Sequence, residues 1–227
     1  MAKGLFTELD KLKGRILFLG SMVEENVRNS MKAFKAYDAE LAFQVQDKDN
    51  EIDRTEITVE EECLRILALY QPVASDLRFV VTVLKINNDL ERIGDLASKI
   101  AKKVKILKKD SRVDLGASIT IPEEIDAMAE NTVRLIKCSL DSFVQEDADL
   151  AYKVLVWDDE IDEAKHTIRR KLEEIQQQDP GQHIYLGVLL SITRSLERMA
   201  DHATNIAEDV IYMLQGRIIR HVSDEIS

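Results

Sequence analysis

Glycine and proline are scarce in this chain of 227 residues, 8 and 3 respectively, together roughly 5% against the roughly 12% of an average protein. Strand-rich folds need many tight turns built from such residues, so a β architecture is excluded. Aromatic residues reach only 5%. No run of eighteen or more apolar residues occurs, so no membrane-spanning helix is expected. The opening MAKGLFTELDKLKGRI lacks the charged, apolar and small-residue succession of a secretory signal, and a soluble, cytoplasmic protein is expected. The two cysteines, Cys63 and Cys138, lie in helix-like segments without a second ligand at metal spacing. Neither a disulfide framework nor a thiolate zinc site is indicated, and both are expected to be buried small apolar residues. Positive charge is outnumbered, 31 Lys and Arg against 42 Asp and Glu for a net charge of −11, which argues against binding to nucleic acid. There is no Gly-rich phosphate loop, no GxSxG and no metal-spaced histidine pair, and nothing resembles a catalytic nucleophile with its base.

What the chain does have is helical periodicity, punctuated by Pro72, Pro122 and Pro180. The pattern predicts helices over about Leu5 to Val45, Asn50 to Tyr70 and Ala74 to Lys109. After a polar segment around 110–120 come helices over about Pro122 to Gln145, Leu150 to Gln177 and Tyr185 to Arg217. The second set repeats the first. DAELAFQVQDKDNEID, Asp38 to Asp53, matches DADLAYKVLVWDDEID, Asp147 to Asp162, at nine of sixteen positions. LERIGDLASKIAKKV, Leu90 to Val104, matches LERMADHATNIAEDV, Leu196 to Val210, at eight of fifteen. The offset falls from 109 to 106, as a three-residue deletion in the second half would produce. Self-similarity over half the chain means a duplicated unit. The expected fold is therefore all-α, two tandem three-helix bundles over residues 1–112 and 121–217, with a mobile charged tail at 218–227.

The third helix shows how each bundle packs. Val83, Ile86, Leu90, Ile93, Ala97, Ile100 and Val104 recur at alternating steps of three and four, a narrow apolar seam. Its duplicate is Leu189, Ile192, Leu196, Met199, Ala203, Ile206 and Val210. Burying the large members at roughly 1.5 to 3 kcal/mol each accounts for most of what holds a bundle together.

Carboxylates survive between the copies as well. Glu91 with Asp95, and Glu197 with Asp201, are i, i+4 pairs on a face away from the seam. The second helix of each half adds Asp49 with Asp53 and Asp158 with Asp162. Like charges at this spacing repel by a few tenths of a kcal/mol, a cost that a bound cation would convert into a gain. In a chain with 32% charged residues a lone pair of this kind is ordinarily a solvated face. Here LER, the following Asp and DxEID persist in both halves while neighbouring surface positions differ, which favours metal binding on outward-facing carboxylates. An all-oxygen donor set suits Mg²⁺, Mn²⁺, Ca²⁺ or iron, and zinc less well. The first cluster is the more acidic on its second helix, where Glu56 and Glu60 stand at the positions of Lys165 and Arg169. Glu208, opposite Lys102 of the first half, partly reverses this on the third helix, so the two sites are expected to differ in nuclearity or affinity. His166, His183, His202 and His221 are scattered, and His202, about 100° round the helix from Asp201, is expected at the surface. Trp157 is expected to make a hydrophobic contact at a helix start.

The run QPVASDLRFVVTVLKINNDLERIGDLASKIA, Gln71 to Ala101, resembles the PhoU family of phosphate-signalling accessory proteins. LERMADHATNIAEDVIY, Leu196 to Tyr212, is similar to the family's second motif, and the resemblance spans nearly the whole chain. It implies two tandem three-helix bundles carrying multinuclear metal clusters on paired D/ExxxD motifs. These map onto Asp49 and Asp53 with Glu91 and Asp95, and onto Asp158 and Asp162 with Glu197 and Asp201. It also implies a homodimer without enzymatic activity. Such a protein represses the phosphate-starvation response through a membrane-bound sensor histidine kinase and the ATPase subunit of the phosphate ABC transporter, reaching the membrane only through those partners. Ser98 stands where the family often has Asn, while Asn205 lies beside the corresponding position of the second half. Gln71, Pro72, Asp76 and Arg78 form a further family signature; from the residues alone, Pro72 reads as a helix start and Asp76 and Arg78 as ties to the preceding helix or contacts to a partner. A metal store or metal-binding accessory of a phosphate permease is the alternative. A carboxylate di-metal enzyme fits poorly, because such a site lies inside a bundle and usually takes a pair of ExxH motifs, whereas these carboxylates are expected to face outward and no such pair is present.

Overall fold

The computed structural model describes residues 2–109 and 121–219, and these are helical without a strand. The connecting segment expected near 110–120 and residues 220–227 of the expected tail lie outside the described residues. Six helices follow one another: α1 (Ala2–Lys35), α2 (Ala39–Tyr70), α3 (Ala74–Lys109), α4 (Glu123–Gln145), α5 (Ala148–Gln178) and α6 (His183–Gln215), with a short 3-10 turn at Pro180–Gln182 before α6. They form the two three-helix units expected from the repeat, α1 to α3 and α4 to α6.

The break between the first two helices falls earlier than the pattern of polar residues suggests. It lies at residues 36–38, not 45–50, and needs neither proline nor glycine. Tyr37 takes a left-handed conformation (φ 50°), and the Asp38 carboxylate accepts hydrogen bonds from the amides of Glu40 (2.9 Å) and Leu41 (3.0 Å). This satisfies amides that a helix start leaves without partners. Asp147 does the same for Leu150 at the head of α5 (3.0 Å). The first residue of the repeated DAxLA segment is thus a helix cap in both copies. Asp49 and Asp53 consequently sit well inside α2. Trp157 likewise lies within α5, under the Arg134 guanidinium at 4.9 Å, and not at a helix start. At the other end, Gly216 (φ 68°) closes α6, returning its amide to the Tyr212 carbonyl at 2.8 Å.

All seven residues of the α3 seam and all seven of its α6 duplicate are buried. Both helices are also buried beyond that stripe, at Val80, Leu96 and Ala101 of α3 and at Leu186, Ala200 and Ile211 of α6. The reason is their position: α3 and α6 pack against each other as well as within their own units, and α1 meets α4. The inner four helices share one continuous core, flanked by α2 on one side and α5 on the other. Phe79 of α3 stacks on Phe143 of α4 with ring centroids 5.6 Å apart.

Polar contacts thread the junction. His202, expected at the surface, is half-buried with Nδ1 2.8 Å from Asp89 Oδ1 of α3. Lys85 Nζ reaches Asp209 Oδ1 at 3.0 Å. Arg78 turns away from the preceding helix and donates from Nε to the Met213 carbonyl at 3.0 Å, near the C-terminal end of α6, where a cation complements the helix dipole. Pro72 lies in the loop ahead of α3, whose first residue, Ala74, is itself left-handed (φ 48°). Cys63 is buried as expected, whereas Cys138 is only half-buried.

Candidate functional site

The eight carboxylates gather in two grooves on the flanks, one between α2 and α3, the other between α5 and α6. In the first groove helix approach is set by Gly94. A β-carbon there would stand 3.2 Å from Ile52 Cγ2 and 3.3 Å from Asp49 Oδ1, so its absence lets α2 settle against α3 with Asp49 in the seam between them. In the sequence, Gly94 is an isolated glycine inside a strong helical pattern, which is the one local signal of this close packing. Ala200 holds the equivalent place in α6.

The expected outward-facing arrangement holds only in part. Asp53, Asp162 and Asp201 are exposed, whereas Asp49, Glu91, Asp95, Asp158 and Glu197 are half-buried. Burial is the largest influence on Asp49, raising its pKa; Asp53 and Asp95 raise it further, while the Ser98 hydroxyl and Lys102 act the other way. Burial also raises Glu91, opposed by Arg92 and reinforced by Asp95, Asp53 and Asp49. These four carboxylates therefore act on one another across the groove. Glu56 joins them, raised by burial and then by Glu60, Glu91 and Asp53. It is held by Asn87, buried on α3, whose side-chain amide donates to the Glu56 carbonyl (2.9 Å) and to Oε1 (3.2 Å).

The second groove has the same plan with one substitution of consequence. Asp158 is pushed up to about 6 by burial and then by Asp201, Asp162, Asp159 and Glu197. Asp201 is raised by burial, Glu197 and Asp162, against His202 and Lys165. Where α2 carries Glu56, α5 carries Lys165, whose Nζ lies 2.6 Å from Glu197 Oε1 and 3.4 Å from Asp162 Oδ1. An ammonium of the chain itself thus partly neutralises the second cluster.

Among the described residues no three Asp, Glu, His or Cys side chains converge tightly enough to hold a metal ion in this arrangement. The donor chemistry of the first groove nevertheless fits a cation. Asp49 Oδ1 and Glu91 Oε2 are both enclosed and accept no hydrogen bond, although Arg92 Nε lies 3.3 Å from the latter. A buried carboxylate oxygen without a partner is costly, and a hard cation between such oxygens removes that cost.

A helical bundle duplicated in tandem, with a carboxylate cluster in the same groove of each copy, is the class of protein that this fold and site define. The PhoU domain family matches it twice, at residues 16–104 and 125–210, one match per copy, and the chain belongs to that family. A phosphate-specific transport system accessory protein PhoU homolog from Pseudomonas aeruginosa is 37% identical over 95% of this chain and 87% of its own length. The phosphate-specific transport system accessory protein PhoU of Escherichia coli is 30% identical over 96% of this chain and 88% of its own. Among solved structures, PhoU from Pseudomonas aeruginosa matches with a TM-score of 0.86 at 37% identity, covering 93% of this chain and 99% of that one. The phosphate transport system regulatory protein PhoU from Streptococcus pneumoniae matches with a TM-score of 0.84 at 27% identity, covering 94% and 98%.

Proposed function

We propose that this chain is an accessory protein of phosphate transport that represses the phosphate-starvation response when phosphate is plentiful. The observation that carries the reading is the double PhoU match, one per bundle, together with relatives of nearly full length that bear the name of phosphate-specific transport accessory proteins. In this reading the protein is not an enzyme. It works in the cytoplasm as a homodimeric adaptor between the ATPase subunit of a phosphate ABC transporter and a sensor histidine kinase. No helix among the described residues is long and apolar enough to cross a membrane, so contact with the membrane runs through those partners.

Metal belongs to the same proposal. Asp49, Asp53, Glu91 and Asp95 would hold one cluster and Asp158, Asp162, Glu197 and Asp201 the other, with Mg²⁺, Mn²⁺, Ca²⁺ or iron favoured by the oxygen donors. A bound cation would supply positive charge that relieves carboxylate repulsion and ties the flanking helix to its neighbour. The enclosed Asp49 Oδ1 of the first groove, which accepts no hydrogen bond, supports this.

The test is a phosphate-starvation reporter in a strain lacking this protein, grown in ample phosphate and complemented with the wild type or the Glu91→Ala, Asp95→Ala double variant. Full induction without the protein and repression on complementation are expected. A reporter that stays off in the deletion strain refutes the repressor role and points to a metal store or permease accessory. Elemental analysis of the two purified proteins reads the metal separately; equal metal content with unchanged helicity would remove these carboxylates from the ligand set.

A further inference from the structure

The α3 and α6 helices meet in an antiparallel register: Arg78, Lys85 and Asp89 of α3 pair with Met213, Asp209 and His202 of α6. Because the two helices are copies of one another, the ends of their interface are also copies, and they have diverged in charge. One end is closed by the Lys85–Asp209 ion pair at 3.0 Å and by a hydrogen-bond contact between Asp89 and His202 at 2.8 Å. At the other end the repeat places Lys103 where Asp209 stands, Lys102 where Glu208 stands and Ser195 where Asp89 stands. There the helices leave a cleft of about 370 Å³ whose walls carry Lys99, Lys102 and Lys103 from α3 and Arg194 and Arg198 from α6, with no carboxylate in its lining among the described residues.

This concentration of cations occurs in a chain of net charge −11, so it is not a sample of the general surface. The spacing places the three lysines on one face of α3 and the two arginines on the facing side of α6. Lys99 reaches Asp95 at 3.3 Å, and Lys102 acts on Asp49. Lys103, Arg194 and Arg198 make no ion pair or hydrogen bond among the described residues. The cleft also presents Leu96 and Ile106 as an apolar wall.

We propose that this cleft binds a small anion built of linked phosphate groups, an oligophosphate that is either free or the phosphate chain of a nucleotide. Two guanidinium forks suit the oxygens of successive phosphates, and lysines supply the remaining charge. Three linked phosphates, each group ionising near or below neutral pH, carry about four negative charges. Lys103, Arg194 and Arg198 face them without a partner among the described residues, and Lys99 and Lys102, shared with Asp95 and Asp49, add to the positive field. The volume lies within the range of small-molecule sites, roughly 300 to 1,000 Å³, and exceeds what one orthophosphate fills. The cleft adjoins the first carboxylate groove, since Lys99 pairs with Asp95 and Lys102 acts on Asp49, but the proposal does not rest on metal binding there.

The test is calorimetric titration of the full chain with tripolyphosphate after passage over a chelating resin, at low and raised ionic strength. Saturable binding of one anion per chain, weakening with salt, is expected. The Arg194→Gln, Arg198→Gln double variant should weaken it by about tenfold or more. A matched loss of two positive charges outside the cleft, Lys153→Gln with Arg170→Gln, should change it by less than about twofold. Should the arginine variant lose helicity, Lys103→Gln provides the second reading, again weakening binding. ATP equal to tripolyphosphate assigns the site to the phosphate chain, and tighter ATP places its base on Leu96 and Ile106; either supports the proposal. No saturable binding at low salt, full affinity in both cleft variants, or orthophosphate as tight as tripolyphosphate would overturn it.

Discussion

Lys165 Nζ of α5 stands 2.6 Å from Glu197 Oε1 of α6, filling with an ammonium the place that Glu56 occupies in the first copy. Replacing Lys165 with Glu gives the second groove the charge pattern of the first. Because the affinity of oxygen-donor sites follows ligand charge, this variant is expected to bind Mn²⁺ at its second cluster about tenfold more tightly. Without metal it should lose up to about 1 kcal/mol of stability, the usual range for a partly exposed ion pair. Metal titration by calorimetry and urea melts with and without chelator check both. Tighter binding absent from the variant would dissociate these carboxylates from metal.

Gly94 permits the close approach that brings Asp49 to Glu91 and Asp95. Gly94→Val places branched carbons against Ile52 and should cost about 1 to 3 kcal/mol by overpacking. It should also lower metal retained by the first groove. Leu90→Ala, one helical turn earlier but in the fully buried seam, should cost about 2 to 5 kcal/mol while leaving the carboxylates in place. Urea denaturation paired with elemental analysis distinguishes the two outcomes. A Gly94→Val protein with full stability and full metal would show that α2 does not depend on this contact.

The pKa of Asp158, pushed up to about 6 from 3.8, has a defined sign for stability. Between those values the folded chain holds a proton that the unfolded chain has released, so stability rises as pH falls through that window. The metal-free protein should gain on the order of 1 kcal/mol from this group between about pH 7 and pH 5, since a half-exposed carboxylate is partly screened by water. Asp158→Asn should remove that share, leaving a flatter profile in urea melts across this range. An identical profile would mean that Asp158 ionises as freely when folded as when unfolded.

Much of the molecule is legible in one dimension, and the places where it is not have physical causes. The seams at Leu90 and Leu196 follow from residues three and four apart sharing a helix face, and all fourteen seam residues are buried, whereas the burial of Ala101 and Ile211 outside the seams comes from the packing of the two units on each other. The start of α2 was obscured because it rests on a single aspartate cap and a left-handed Tyr37, without proline or glycine. The duplicate cap at Asp147 marks both boundaries, since both repeated segments begin on that residue. The candidate carboxylates stand out through duplication, but their enclosure does not. It depends on Gly94 and Asn87 of α3, whose roles exist only against Asp49 and Glu56 of α2.

The sequence by itself determined that the chain is helical, that it is built twice, and that eight carboxylates recur at helical spacing on equivalent helices. These are properties of period and self-similarity, which need no contact between distant residues. Only the tertiary structure decided which oxygens are left without partners, which cluster carries its own ammonium, and which end of the α3 and α6 interface is closed. Such outcomes depend on groups far apart in the chain, as His202 and Asp89 are, 113 residues distant. Burial and charge pairing arise where helices meet, and no local period encodes that meeting.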